Sequence, residues 1–206
     1  MPIPLSDAHT AFAGHRLLAA GALAEVALAV KHAMSEGEND AVLVFQDSTG
    51  KQIDLDLSGD DAQIVVRHTA MEVAAPATDN EQPGAAPRGR GRPKLGVVPR
   101  EVTLLPRHWD WLAAQPGGAS VALRKLVEQA RRDNEARDAH RQRQEAAYHF
   151  MTSMAGDLPG FEEATRALYA DDREAFARHV AQWPQDVRRY AMELAWGASE
   201  PPSAGA

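Results

Sequence analysis

Residues 74–96, AAPATDNEQPGAAPRGRGRPKLG, hold four prolines, four glycines and a single large aliphatic side chain, Leu95. So little apolar surface cannot offset the entropy of ordering the backbone, and the composition predicts a disordered linker over 74–97. Any core must therefore be assembled from the chain on either side of it. With 206 residues, 44% hydrophobic but only 6% aromatic, those cores are expected to be modest.

Upstream, residues 1–73 read as a small α/β module. HTAFAGHRLLA predicts a hairpin turning at Gly14, and GALAEVALAVKHAM places Leu23, Val26, Ala27 and Val30 at helical spacing between Gly21 and Gly37. AVLVFQDSTGKQIDLDLSG follows with two β-rich runs joined by Asp47-Ser48-Thr49-Gly50. In the second run Ile53, Leu55 and Leu57 alternate with Gln52, Asp54 and Asp56, the pattern of a strand with one wet face. Ser58, three residues before Asp61, is placed to cap a short helix carrying Ile64, Val65 and His68.

Downstream the period changes from 2 to 3.6. Val102 and Leu104 alternate as in a half-buried strand. Trp109, Leu112 and Ala113 then share a helical face, Pro116-Gly117-Gly118 breaks the chain, and Leu123, Leu126, Val127 and Ala130 mark a second helix. A strand-helix-helix unit is predicted over 98–135, a helical region over 136–197 that begins with a charged helix, and a disordered tail over 198–206. The class is α+β: an N-terminal α/β module, a flexible basic linker, and a strand-helix-helix unit continuing into C-terminal helices.

Charge is unevenly spread. The whole chain carries −7, and residues 1–79 hold four Lys/Arg against twelve Asp/Glu. Yet residues 88–100 hold Arg88, Arg90, Arg92, Lys94 and Arg100 with no carboxylate. A concentrated cationic stretch can bind an anion that the remainder of the chain repels. Its backbone is suited to a narrow site, because Gly91 lacks a Cβ and Pro93 fixes φ, leaving a thin arginine ribbon. A·T-rich minor grooves are narrow and strongly negative, and guanine's amino group obstructs close approach elsewhere. The stretch resembles an AT-hook, with Gly91-Arg92-Pro93 as core and Arg90 and Lys94 as flanks. That resemblance implies contact with double-stranded DNA through Arg88, Arg90, Gly91, Arg92, Pro93 and Lys94. The alternatives are a solubilising tether and contact with RNA or an acidic protein surface.

Residues 98–132 resemble a ribbon-helix-helix domain: a strand over 100–105, a helix opening near Pro106, a Gly-rich turn, and a second helix from about Ala119. The resemblance implies a homodimer whose paired strands enter the major groove, while amides at the start of the second helix hold a phosphate. Carried over by position, Pro99, Glu101 and Thr103 face the groove; Thr103 is the good donor, and Glu101 is wrong for phosphate. Ser120, Arg124 and Lys125 are the phosphate candidates. Dimerisation alone, or a helical hairpin packed into the C-terminal region, are the other readings of this unit.

No catalytic constellation and no cofactor is expected. Asp54, Asp56, Asp60 and Asp61 could gather a divalent cation, but a wet strand face and a helix start account for them. The eight histidines lack the spacing that puts two ligands on one helix face. His15 and Arg16 are candidates for a small anion, with a plain hairpin turn favoured. Trp109 and Trp111, two residues apart, cannot share a helical face, so one of them needs a partner surface. The absence of cysteine excludes disulfides and thiolate chemistry, and MPIPLSDAHTAFAGHR lacks the pattern of a signal peptide. With no run near the roughly 18 apolar residues of a membrane span, a cytoplasmic protein is expected.

At TAFAGHRLLAAGALAEVALA, VLVFQDSTGKQIDLDL and GRPKLGVVPREVTLLPRHWDWLAAQPGGASVALRKLVEQAR the chain resembles a family of bacterial proteins that share a conserved domain of unknown function. The resemblance implies a bacterial origin and assigns no activity. The resulting expectation is an accessory or regulatory DNA-binding homodimer, with a protein-protein adaptor as the alternative and a small-molecule enzyme using His15, Asp54 and Asp56 as the third class.

Overall fold

The computed structural model describes residues 8–74 and 100–197. They form the expected α+β class, with one four-stranded antiparallel sheet and seven helices among the described residues. The chain divides into two compact units, one built from residues 8–74 and 136–197 and the other containing residues 100–135.

The first unit is organised by its sheet, of order β2-β1-β3-β4. Its strands are β1 (His9–Ala13), β2 (Arg16–Gly21), β3 (Val42–Gln46) and β4 (Lys51–Ile53). The first two form the hairpin predicted around Gly14, and the register shifts between Ala11 and Phe12, leaving Leu18 as the extra residue of a bulge. Every residue of β1 is buried. A central strand covered on both faces needs apolar partners on both, and the two layers come from opposite ends of the sequence.

On one face Ala11 and Val44 pack with Val26 and Val30 of α1 (Leu23–Ser35). On the other, Phe12 and Phe45 pack against the C-terminal helices. These are the end of α4 (Gly118–Ala155), α5 (Phe161–Tyr169), α6 (Arg173–His179) and α7 (Gln185–Trp196). The C-terminal helical region, read from sequence as a separate stretch, is thus the second cover of the N-terminal sheet. Phe12, Phe45, Phe150 of α4 and Tyr190 of α7 form a ring cluster, with Phe150 5.0 Å from Phe45, 5.4 Å from Phe12 and 4.7 Å from Tyr190. Burying each such ring contributes about 1.5–3 kcal/mol.

Polar groups fix how these layers meet. Tyr190 donates its hydroxyl to Asp47 Oδ1 at 2.6 Å, and Thr10 of β1 donates to the same oxygen at 2.9 Å. Burial, reinforced by the Asp47 charge and by the hydrogen bond to it, pushes the Tyr190 phenol up, so it remains a donor. The backbone N–H of Leu17 donates to Asp186 of α7 at 2.9 Å, covering a donor of the β2 edge. At the β3–β4 turn, Gly50 has φ +63°, and a Cβ there would lie 1.8 Å from the carbonyl oxygen of Ala146. Only glycine lets the α4 backbone come so close. The adjacent Thr49 carbonyl accepts from His149 Nδ1 at 3.0 Å.

The second β-rich run departs from expectation. Its pairing stops at Ile53, although the predicted alternation persists to Leu57, with Asp54 and Asp56 exposed and Leu55 and Leu57 half-buried. The helix that follows, α2 (Asp61–Ala74), buries Ile64 and His68 as expected and leaves Val65 half-buried. Its cap is Asp60 rather than Ser58. Asp60 Oδ1 accepts from the Gln63 N–H at 2.8 Å, while Gln63 Oε1 accepts from the Asp60 N–H at 3.1 Å, the reciprocal pair of a capping box. Ser58 instead donates its hydroxyl to Asp56 at 2.6 Å, because the chain turns there before the helix begins. Lys31 and His32 of α1 reach Asp61 at 2.7 and 3.0 Å and join the two helices.

In the second unit, α3 (Pro106–Ala113) begins with proline at its first turn, where a missing N–H costs nothing. Two predicted features differ here. Residues 100–105 form no strand ladder, since a strand exists only through a neighbouring strand's hydrogen bonds and none pairs with this stretch among the described residues. The second helix and the charged helix after it are one element, α4, of 38 residues. No proline or glycine interrupts residues 119–155, and ion pairs such as Arg132–Glu128 and Arg141–Asp138 sustain its exposed middle.

Two outcomes follow from the first unit. Tyr190→Phe strands the Asp47 carboxylate with one donor fewer and will lower the unfolding free energy by about 1–2 kcal/mol in urea titration. Hydrogen bonds from Lys31 and His32 hold the Asp61 carboxyl below the ordinary range. A group depressed in this way contributes stability that is complete above its unfolded value and is lost as pH falls through the folded one. Amide protection of α2 will therefore decline as pH falls below the ordinary aspartate value of about 4. In Asp61→Asn it will start lower and decline less.

Candidate nucleic-acid interface

Of the ten residues expected to contact DNA, four lie among the described residues. Arg88, Arg90, Gly91, Arg92, Pro93 and Lys94 lie outside the described residues. Thr103 stands exposed in the stretch before α3; Ser120, Arg124 and Lys125 are exposed on the first turns of α4. Helical spacing puts Ser120, Arg124 and Val127 on one face, with Lys125 on the adjoining one. Neither Arg124 nor Lys125 has an ion-pair partner among the described residues. Arg131 and Arg132, farther along, share Glu128 at 3.0 and 3.3 Å. Among the described residues no carboxylate neutralises either cation, and no acidic residue lies in the first turn of α4. No hydrogen bond among the described residues joins Thr103 to this group.

The approach to α4 is set by backbone. Gly117 and Gly118 have φ of +87° and +74°, the left-handed region in which a side chain is strained. A Cβ on Gly117 would lie 3.1 Å from Val121. The glycines turn the chain sharply enough for α4 to open at Gly118, as the Pro-Gly-Gly signal predicted.

Burial in this unit is what sequence reasoning missed. Trp109, Leu112 and Ala113 are predicted to share a helical face, and of the three only Leu112 is buried, while Trp109 and Ala113 are exposed. The predicted α4 face fares likewise, with Leu126 48% and Val127 65% exposed. Trp111 is 52% exposed, and Val102 and Leu105 are about as open. Among the described residues of this unit, Leu112 and Ala122 are the only buried hydrophobics. Apolar periodicity identified the faces, but covering them requires surface that the described residues of this unit do not offer. The other two tryptophans are anchored: Trp183 is in the core with Nε1 donating to the Pro159 carbonyl at 2.8 Å, and Trp196 packs on Phe176.

The enzymatic candidates do not gather. Arg16, considered with His15 for an anion, is ion-paired with Glu38. Asp56 accepts from Ser58 and pairs with Arg67, and those hydrogen bonds hold its carboxyl below the ordinary range. Among the described residues no group of three His, Asp or Glu side chains is arranged to hold a metal ion. No helix among them is long and apolar enough to cross a membrane.

The paired glycines generate a prediction. Gly117→Ala forces a left-handed alanine against Val121 and will cost about 1–2 kcal/mol locally. Hydrogen exchange will detect it as lost protection in α3, with protection of β1 and β3 unchanged.

A family model described as an uncharacterized protein conserved in bacteria, DUF2239, matches residues 8–195. Neither a curated protein nor a solved structure matches the chain. Because the match runs from the first sheet strand through α7, across both compact units, the chain belongs to this uncharacterized bacterial family, DUF2239.

Proposed function

We propose that the protein is an accessory or regulatory DNA-associated protein in which Arg88, Arg90, Arg92 and Lys94 enter the minor groove of A·T-rich duplex. The observation that carries this reading is the isolation of these cations. They occupy a stretch without a carboxylate, inside a chain of net charge −7. Such a concentration of one sign can hold a polyanion through counterion release. Exposed Arg124 and Lys125, without ion-pair partners among the described residues, add a second cationic surface downstream of the strip.

The active form in this reading is a homodimer. The open apolar side chains of residues 100–135, Val102, Leu105, Trp109, Trp111, Leu126 and Val127, support it, because a unit with two buried hydrophobics has too little core of its own. Pairing residues 100–105 of two copies would supply the missing ladder and present two arginine strips together, so that weak contacts gain through effective concentration.

Fluorescence anisotropy of labelled A·T-rich and G·C-rich duplexes tests the reading. The full chain will prefer the A·T-rich duplex, and log K will fall with log salt at a slope of roughly −3 to −4 per strip. Arg90→Ala/Arg92→Ala will lose most of that affinity. In light scattering the wild type will have twice the chain mass, and Leu126→Asp/Val127→Asp will return it to one. Unchanged affinity in the arginine variant removes the DNA reading, and a monomeric wild type removes the dimer.

A further inference from the structure

We propose that the groove between α1 and the β3–β4 hairpin is a docking site for an extended protein segment that adds alongside β4 and carries lysine or arginine at alternate positions. This site is independent of the DNA reading and lies wholly within the first unit.

Three observations carry it. The first is the free edge: β4 ends the sheet and pairs only with β3, so its other side presents backbone donors and acceptors without a strand partner among the described residues. Beyond Ile53 the strand-like alternation of exposed and half-buried residues continues to Leu57. The usable edge closes at Asp56, whose carbonyl accepts from Arg67 at 2.7 Å and from His68 Nε2 at 3.1 Å.

The second is an apolar trough beside that edge. Val30 and Met34 of α1, Val44 of β3, and Ile53, Leu55 and Leu57 line a groove of about 390 Å³. Met34 is 57% exposed there and, with half-buried Ile53, Leu55 and Leu57, makes the trough a continuous apolar patch. Alternate side chains of an added strand would fall into such a trough, the way strand addition obtains its specificity.

The third is charge. Glu38, Asp40 and Asp54 stand in the lining, which contains no lysine, arginine or histidine. Arg16 pairs with Glu38. Asp40 and Asp54 have no ion-pair partner among the described residues. A cationic segment complements them. A second copy of this chain does not, because antiparallel pairing of two β4 edges would bring one acidic rim against another, and like charges facing across strands are destabilising.

The test uses the full-length protein and a fluorescein-labelled peptide alternating lysine with valine over seven residues, followed by anisotropy. Saturable binding is expected. A glutamate-for-lysine peptide, a peptide N-methylated on alternate amides, and the protein variants Asp54→Lys and Met34→Asp are each expected to weaken it about tenfold. Both substituted side chains are exposed, so circular dichroism should show the fold retained. Absence of binding, equal affinity for the N-methylated peptide, or unchanged affinity in both variants would each overturn the proposal. So would a fall in the mass of the free protein on Met34→Asp, which would assign the groove to a second copy.

Discussion

The first unit depends on the burial of β1 from both sides. A strand reading His-Thr-Ala-Phe-Ala, paired on both edges, presents Ala11 to one layer and Phe12 to the other, and neither face tolerates water. Small Ala11 lets α1 approach closely, whereas the large rings of Phe12 and Phe45 meet Phe150 and Tyr190 across a deeper layer. The sheet is therefore incomplete until the end of α4 and α5 to α7 arrive from far along the chain, as Phe150 does against Phe45. Removing the C-terminal helices would expose one whole face of the sheet.

Directional bonds make this packing specific. Aromatic contacts are permissive about orientation at modest cost, but Asp47 accepts from both Thr10 and Tyr190, which fixes α7 over the sheet in one position. Asp186 on the Leu17 amide and His149 on the Thr49 carbonyl add two further points, one at the β2 edge and one at the β3–β4 turn. Gly50 supplies the steric counterpart, a notch into which the α4 backbone fits. On the opposite layer, α1 and α2 are held by exposed carboxylate pairs, a weaker and more pH-sensitive device.

The second unit has the reverse balance. Its backbone is well specified, by Pro106 at the start of α3 and the glycine pair at the turn, while its apolar side chains remain largely uncovered. Cations cluster around the same part of the sequence, on the strip before it and on the first turns of α4. A unit with settled secondary structure and uncovered apolar side chains is suited to association. The first unit contributes a different surface, acidic and apolar beside a strand edge.

By itself the sequence determined the elements whose cause is local. The hairpin at Gly14, α1 between its two glycines, the Asp47–Gly50 turn, the alternation over Gln52–Leu57, the turn at Gly117 and the α+β class were all legible, because φ/ψ preference and hydrophobic period act within a few residues. The candidate site was legible as charge and as apolar faces on α3 and α4, but not as an assembled surface. Tertiary structure alone decided that the last helices complete the first sheet, that Asp60 rather than Ser58 caps α2, that strand pairing stops at Ile53, and that Trp109, Leu126 and Val127 stay in water. Each of these depends on which distant segment supplies a partner, and a partner's distance in space is not written in any window of the chain. The same reason leaves residues 100–105 without a ladder: their alternation specifies a strand face, and only a neighbouring backbone makes it a strand.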